Sequence, residues 1–280
     1  MRIAYGTYAT PDMPLEEAAT LLAEIGYDGV EVCVSPRHAA SMPEEMDAAR
    51  RLRLRGLLQR LGLGIPAVFT AGHLLAEDED GHRRTQEHVR RCAGLARDLG
   101  AESPVVALGI GGRSDQWEDV KGRIVDQLGD YGRLAREEGF LVAAEAHCGA
   151  AVDRSERALW ALGSVGSPAV RLHFDIVHFY LAGEDETGAV ERLLPITGHT
   201  HVTDARRHAD GGFDLLLLGQ GDLDAAAYVK AMAAGGWESF LTLEVSGRIW
   251  GRDDYDAATA ARISYDSMTR AFAEAGVERG

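Results

Sequence analysis

Short apolar runs and longer amphipathic segments alternate along the whole chain. Short apolar runs, several of them rich in β-branched residues, are each followed by a longer segment with apolar residues at helical spacing. Short runs of this kind are typical of buried strands, and the longer amphipathic segments are typical of helices. The pattern predicts eight strands, at residues 2–9, 29–34, 65–70, 104–110, 141–147, 170–178, 198–205 and 240–246.

The predicted helices follow these strands, at residues 14–27, 43–61, 81–99, 117–139, 155–166, 186–194, 222–237 and 255–275. Alternating strands and helices imply a parallel sheet. Eight such units in 280 residues favour closure into a barrel over an open sheet. We therefore predict an α/β fold with a single (β/α)8 TIM barrel domain over residues 1–280.

The composition argues against nucleic-acid and membrane partners. The formal net charge is -15, and an acidic surface repels phosphate backbones. The arginine-rich run at residues 50–60 has leucines at helical spacing, which indicates the solvated face of an amphipathic helix. No apolar run reaches the length of a membrane span, and no signal peptide is visible. Cys33, Cys92 and Cys148 are widely spaced, which favours reduced thiols and a cytoplasmic protein.

Charged and imidazole side chains stand near the ends of the last four predicted strands. These residues are Glu145, Asp175, His201 and Glu244. Because the carboxyl ends of barrel strands meet at one rim, we expect the four side chains to converge. Three uncompensated carboxylates would repel each other, and a bound cation removes that cost. The oxygen-rich set predicts one divalent metal ion, with Mn²⁺ favoured and Mg²⁺ or Co²⁺ as alternatives.

The sixth predicted strand carries two further histidines, in the run RLHFDIVHFY at residues 171–180. Strand alternation points His173 to the same side as Asp175 but deeper in the barrel. We expect His173 to support the metal shell without binding the metal. His178 is expected just beyond the strand, where the chain becomes a loop and faces the substrate.

Six segments together resemble the xylose isomerase-like barrel superfamily, in the branch of sugar isomerases and epimerases that includes ketose 3-epimerases. They extend over nearly the whole chain, in the family's order. The segments are IGYDGVEV (25–32), AAEAH (143–147), FDIVH (174–178), HTHVTDARR (199–207), LLGQGDLD (217–224) and TLEVS (242–246). The resemblance implies that Glu145, Asp175, His201 and Glu244 ligate one divalent metal ion.

The resemblance also implies a chemistry. In the epimerase branch one glutamate removes a proton alpha to a carbonyl and the other returns a proton on the opposite face, through a metal-stabilised enediolate. Glu145 and Glu244 would then be the catalytic residues of a metal-dependent isomerase or epimerase acting on a small keto sugar. His178 and Arg207 match a histidine and an arginine that contact the substrate.

One departure from the ketose epimerase pattern leaves a second function open. Those enzymes have a further glutamate six residues after the strand-five ligand, where this chain has Ala151. His147 is a candidate replacement as a general base, and a supporting hydrogen bond is an equally open role. The alternative function is a metal-dependent lyase, dehydratase or C-glycoside-cleaving enzyme acting on a 3-keto sugar or cyclitol. Such reactions also begin with loss of a proton alpha to a carbonyl.

The same comparison of residues disfavours two other functions. Endonuclease IV-type repair enzymes are disfavoured, because Phe213 and Leu215 stand where those enzymes have metal ligands. A barrel that only binds sugar or protein would need all four metal ligands to be vestigial.

His73 and Trp250, which follow the third and eighth strands, are further candidate substrate contacts. A homo-oligomer and a complex with a partner subunit are both left open.

Overall fold

Eight parallel strands close into a barrel in the computed structural model, which describes residues 1–280. The strands along the chain are β1 (Arg2–Gly6), β2 (Gly29–Val34), β3 (Val68–His73), β4 (Val105–Gly109), β5 (Leu141–Glu145), β6 (Val170–Asp175), β7 (Thr197–Val202), β8 (Asp204–Arg207), β9 (Phe213–Leu216) and β10 (Phe240–Leu243). The pair β8 and β9 forms a separate antiparallel hairpin, and β10 closes the barrel between β7 and β1. The (β/α)8 prediction is confirmed.

Ten helices accompany the strands. They are α1 (Leu15–Ile25), α2 (Ala48–Leu61), α3 (Glu79–Leu99), α4 (Trp117–Glu138), α5 (Ser155–Val165), α6 (Ile176–Leu181), α7 (Glu186–Leu193), α8 (Ala225–Ala234), α9 (Gly247–Trp250) and α10 (Ala257–Ala275). Eight of them match the predicted helices, whereas α6 and α9 were not predicted. None of the ten is long and apolar enough to cross a membrane.

The sixth strand is shorter than predicted, because a helix begins where the strand was expected to continue. Asp175 ends β6 and is also the N-cap of α6, where its carboxylate accepts a hydrogen bond of 3.2 Å from the Val177 amide. Aspartate is a favoured N-cap, since its oxygen satisfies an otherwise unpaired amide of the first turn. His178 therefore lies on a helix and not in a loop, which corrects the expectation.

The hairpin of β8 and β9 was also missed by the sequence pattern. Its base is organised by Asp204, which is fully buried and accepts hydrogen bonds from the amides of Ala205, Gly219, Gly221 and Leu223. A Cβ atom at Gly221 would lie 2.2 Å from the Asp204 carboxylate, so only glycine fits there. The buried carboxylate thus folds the LGQGDL segment back beneath the hairpin.

The arginine-rich segment forms α2, an amphipathic helix as interpreted from the sequence. Leu54 and Leu58 are buried on its inner face. On its outer side, Arg50 pairs with Glu16 at 2.9 Å and Arg51 pairs with an aspartate of α3 at 2.7 Å. Two of the five arginines of the run are therefore paired within the protein.

Two leucines of α2 give a matched test of this packing. Leu54 is fully buried, whereas Leu52 is 70% exposed on the same helix. Leu54→Ala should lower the free energy of unfolding by about 2–5 kcal/mol, because it removes buried methyl groups and leaves a cavity. Leu52→Ala should change it by less than about 0.5 kcal/mol. Urea unfolding followed by circular dichroism measures both, and equal effects would contradict the described helix orientation.

Candidate metal centre

The last four barrel strands bring three carboxylates and one imidazole together at the carboxyl-terminal rim. Glu145 and Asp175 end β5 and β6, His201 lies one residue before the end of β7, and Glu244 follows β10. In the strand register Asp175 pairs with His201. One donor atom from each of the four residues lies within 4.8 Å of the other three. The structure thus brings together all four residues that the sequence singled out as ligands.

The donor set fits a divalent cation. His201 Nδ1 is buried without a hydrogen-bond partner, and it lies 3.4 Å from a carboxylate oxygen of Glu244. Ligand bonds of about 2.1 Å around an octahedral cation place neighbouring donors roughly 3 Å apart, close to this separation. An unpaired buried nitrogen facing carboxylates is costly unless a cation or proton lies between them.

The electrostatics of the carboxylates show the same demand for positive charge. Burial raises the pKa of Asp175 to about 6. Burial acts in the same direction on Glu145, but the neighbouring His178 outweighs it and lowers the pKa of Glu145 to about 2. The Thr203 hydroxyl lies 3.2 Å from both Asp175 and Glu244, and can donate to one of them at a time. A cation would serve all three carboxylates at once.

A fifth residue of the site, Glu31 of β2, was not identified from the sequence. It is fully buried below the rim. Its carboxylate accepts hydrogen bonds from Nε2 of His199 at 2.5 Å and from Nε2 of His201 at 2.9 Å. These contacts leave Nδ1 as the nitrogen of His201 that faces the carboxylates. A ligating histidine usually donates its other N–H to a carboxylate in this way. The sequence did hold a signal, since Glu31 interrupts the otherwise apolar strand GVEVCV.

The contact with Glu31 is charge-assisted. Burial by itself would raise the pKa of Glu31, but His201 and His199 outweigh burial and lower it to about 2. Burial would likewise lower the pKa of His201, but Glu31 and Glu244 outweigh it and raise that pKa well above its ordinary value. The buried carboxylate therefore stays ionised and holds the ring in place.

His173 lies deeper in the barrel, as strand alternation predicted. It is fully buried, and its ring packs edge-on against His201 with the ring centroids 4.1 Å apart. Neither ring nitrogen has a hydrogen-bond partner, and burial lowers the pKa of His173 well below its ordinary value. Any support that His173 gives to the metal shell is therefore by packing of a neutral ring.

His147 and His178 lie side by side at the edge of the rim. Their ring centroids are 3.9 Å apart, and Nε2 of His178 lies 3.7 Å from oxygens of both Glu145 and Asp175. Cys148 lies next to them and, like the two other cysteines, is free. Burial acts to raise the pKa of the Cys148 thiol, but the two imidazoles outweigh burial and lower it to about 6.

The carboxylates open onto a cavity of about 200 Å³ at the barrel mouth. Of the sequence-predicted substrate contacts, His73 and His178 line this cavity, and so does His147, the predicted candidate base. Trp250 stands behind it, with its ring edge-on to Tyr8, which lines the wall. Arg207 does not line the cavity; it lies at the exposed end of strand β8, with its guanidinium 4.3 Å from the centre of the Tyr180 ring.

Ala151, the position of the missing glutamate, is fully buried and faces a glycine turn. A Cβ atom at Gly112 would lie 2.9 Å from the Cβ of Ala151, so the two backbones pack closely. A side chain at position 112 would therefore collide with Ala151. The small residue at position 151 is thus part of the local packing.

Comparison with known proteins assigns the family. A family model described as a xylose isomerase-like TIM barrel matches residues 19–270. The chain belongs to this family. The resemblance seen in the sequence motifs is therefore confirmed for most of the chain, and so is the prediction that the protein is an enzyme, since relatives in this family are named as epimerases, isomerases and dehydratases.

Individual members of the xylose isomerase-like family are distant in sequence. The fructoselysine 3-epimerase of Escherichia coli O157:H7 is 22% identical over 83% of this chain and 86% of its own. The inosose dehydratase of Mesomycoplasma hyopneumoniae strain J is 24% identical over 70% of this chain and 64% of its own. The crystal structure of the IolI protein with a bound zinc atom has a TM-score of 0.81 at 19% identity, over 98% of this chain and 99% of that one. That likeness shows the shared barrel fold.

The role of Glu31 can be tested through metal affinity. Glu31→Gln keeps the shape of the side chain but removes the charge that holds His201. We expect the dissociation constant for Mn²⁺ to rise about 10- to 100-fold, as is usual when a partner of a ligating histidine is lost. Isothermal titration calorimetry measures this. Glu24→Gln, the same change on the exposed side of α1, is the control and should leave the affinity unchanged. Equal affinities in the two variants would show that Glu31 does not support the metal ligand.

Proposed function

We propose that this protein is a divalent-metal-dependent isomerase or epimerase of a small keto sugar, and that it works by proton transfer alpha to a carbonyl. The observation that carries the proposal is the convergence of Glu145, Asp175, His201 and Glu244 within 4.8 Å at the mouth of a cavity. The family, whose members include epimerases and isomerases of sugars and cyclitols, supports the same class.

Glu145 and Glu244 are assigned the proton transfers, as well as a share in metal binding. Their strands are separated around the barrel by β6 and β7. The two carboxylates therefore approach the centre of the mouth from different sides. This arrangement suits a reaction in which one carboxylate takes a proton from one face of a carbon and the other returns a proton to the opposite face.

Mn²⁺ is the favoured cation, with Mg²⁺ and Co²⁺ as alternatives, since three of the four donors are carboxylates. A divalent cation held by these residues supplies a Lewis acid that polarises the substrate carbonyl. The similar IolI structure has a bound zinc atom, so zinc belongs among the cations to be tested. Asp175 and His201 hold the metal without a further role.

His178 is proposed to hold a substrate oxygen, because its Nε2 lies beside two metal-binding carboxylates and it lines the cavity. His73, at the end of β3, lines the same cavity and is assigned a similar contact. Trp250 would act on the substrate indirectly, by holding the Tyr8 ring in the cavity wall through their edge-on contact. Arg207 does not line the cavity, so a contact with the substrate would require its side chain to leave the face of the Tyr180 ring.

A second function is favoured by one specific observation. The catalytic cavity shares Ala71, Gly72 and His73 with an adjoining cavity of about 560 Å³, which also contains Arg84 and His88. We propose that a bulky substituent of the substrate extends past these shared residues into the adjoining cavity, with His147, which lines the catalytic cavity, as a candidate base. This favours a lyase or dehydratase acting on a substituted 3-keto sugar or a cyclitol as the alternative. A relative named inosose dehydratase supports that class.

The free cysteines bear on the cellular compartment of the proposed enzyme. Three free cysteines and no disulfide are typical of a reducing compartment, which supports the cytoplasm as its location. The partner in the proposal is a small carbohydrate.

The reaction can be tested in D₂O with Mn²⁺ and a panel of ketoses, inososes and 3-keto-glycosides, followed by NMR. We expect deuterium at the carbon alpha to the carbonyl together with a product of inverted configuration or isomerised carbonyl. Glu145→Gln and Glu244→Gln should each lower the rate at least about 100-fold, as expected for loss of a general acid or base. Glu238→Gln, an exposed residue just before β10, is the matched control.

The outcomes separate the two candidate functions. Release of water or of an aglycone without an epimeric product would support the lyase and contradict the epimerase. A chelator should abolish turnover and added Mn²⁺ should restore it in either case. If no carbonyl sugar exchanges deuterium, and Glu145→Gln behaves as the unaltered protein, proton transfer at this site is wrong.

A further inference from the structure

Beside the carboxylate site, three side chains with nitrogen and sulfur donors form a second cluster. A ring nitrogen of His147, a ring nitrogen of His178 and Sγ of Cys148 lie within 4.8 Å of one another. We propose that these residues bind a second cation, of the Zn²⁺ or Cd²⁺ type, and that its binding inhibits the enzyme. The binding part of this proposal does not depend on the proposed function, whereas the inhibition part does.

The hydrogen bonds of His147 leave one nitrogen free for such a cation. Its Nδ1 lies 2.7 Å from the carbonyl oxygen of Cys148. A carbonyl oxygen only accepts, so Nδ1 carries the hydrogen and Nε2 keeps its lone pair. Donation of one ring N–H to a backbone carbonyl is the usual arrangement of a metal-ligating histidine.

His178 shows the same division between its two nitrogens. Its Nε2 faces oxygens of Glu145 and Asp175 at 3.7 Å, which favours a hydrogen on Nε2. The ring is only 4% exposed, and its Nδ1 is buried without any hydrogen-bond partner. A buried nitrogen left without a partner is uncommon in proteins and needs an explanation, and a cation shared with Cys148 and His147 would supply one. Cys148 offers a sulfur beside the two rings and is partly exposed, so a cation can enter from solvent.

The chemistry of this cluster differs from that of the carboxylate site. Two imidazoles and a thiolate favour Zn²⁺ and softer cations, whereas three carboxylates and one imidazole suit Mn²⁺ and Mg²⁺. A tetrahedral zinc ion with ligand bonds of about 2.0–2.3 Å needs donors roughly 3.5 Å apart, so the three donors, now within 4.8 Å of one another, would have to draw together around the ion. A cation bound there would occupy both His147 and His178 and withdraw them from the substrate.

The experiment titrates Cd²⁺ into the reduced, metal-free protein and follows the ultraviolet charge-transfer band of a thiolate bound to cadmium. We expect a band of the intensity of one thiolate. Cys148→Ser should abolish it, whereas Cys92→Ser, which changes a buried cysteine of α3, should leave it intact. Asp175→Asn, which disables the carboxylate site, should also leave it intact. A band that is absent, or that survives in Cys148→Ser, would overturn the second site.

The inhibition is measured with the Mn²⁺-loaded enzyme and added Zn²⁺, once a substrate is known. Cys148→Ser should raise the Zn²⁺ concentration for half-inhibition at least about tenfold, because one of three ligands is lost. Unchanged sensitivity to Zn²⁺ would overturn the inhibitory role, even where the charge-transfer band is present. If the charge-transfer band behaves as expected but no sugar reacts, the proposed function fails while the second site stands.

Discussion

The buried contact between Glu31 and His201 is the interaction on which the metal centre depends. Glu31 lies below the rim with no exposed surface and shares its carboxylate between His199 and His201. It fixes which nitrogen of His201 faces upward, and hence the donor set that the three rim carboxylates can complete. A buried carboxylate is costly unless it is paired, so the barrel interior holds two histidines at hydrogen-bond distance.

The three carboxylates above this contact bring negative charges close together, which is unfavourable without a cation. Burial raises the pKa of Asp175, and the neighbouring Glu244 and Glu145 act in the same direction, so the charge of Asp175 is disfavoured without a cation. A cation at the rim would offset this cost, since it would neutralise the carboxylates and take the free nitrogen of His201. Local costs of this kind are common at functional sites. The packed layer between strands and helices carries the fold.

Much of this arrangement could be predicted from the sequence, because it follows from periodicity. Eight strand–helix units imply a closed barrel, and a closed barrel has one carboxyl-terminal rim. The polar residues that stand late in the last four barrel strands meet at that rim. This reasoning identifies the four rim residues, which are Glu145, Asp175, His201 and Glu244. Glu31 was missed because its partners, His199 and His201, are 168 and 170 residues away along the chain and only closure joins them. The predicted extent of β6 was wrong because Asp175 both ends the strand and caps the helix that follows it. The hairpin of β8 and β9 depends on the buried Asp204, whose amide partners have no periodic signal.

The most direct test of the central claim is a crystal structure of the protein with Mn²⁺, in which anomalous scattering locates the metal. We predict one strong peak at the rim, bound by Glu145, Asp175, Glu244 and Nδ1 of His201, with Nε2 of His201 still hydrogen-bonded to Glu31. A peak elsewhere, or a metal bound through Nε2 of His201 with Glu31 displaced, would contradict the account.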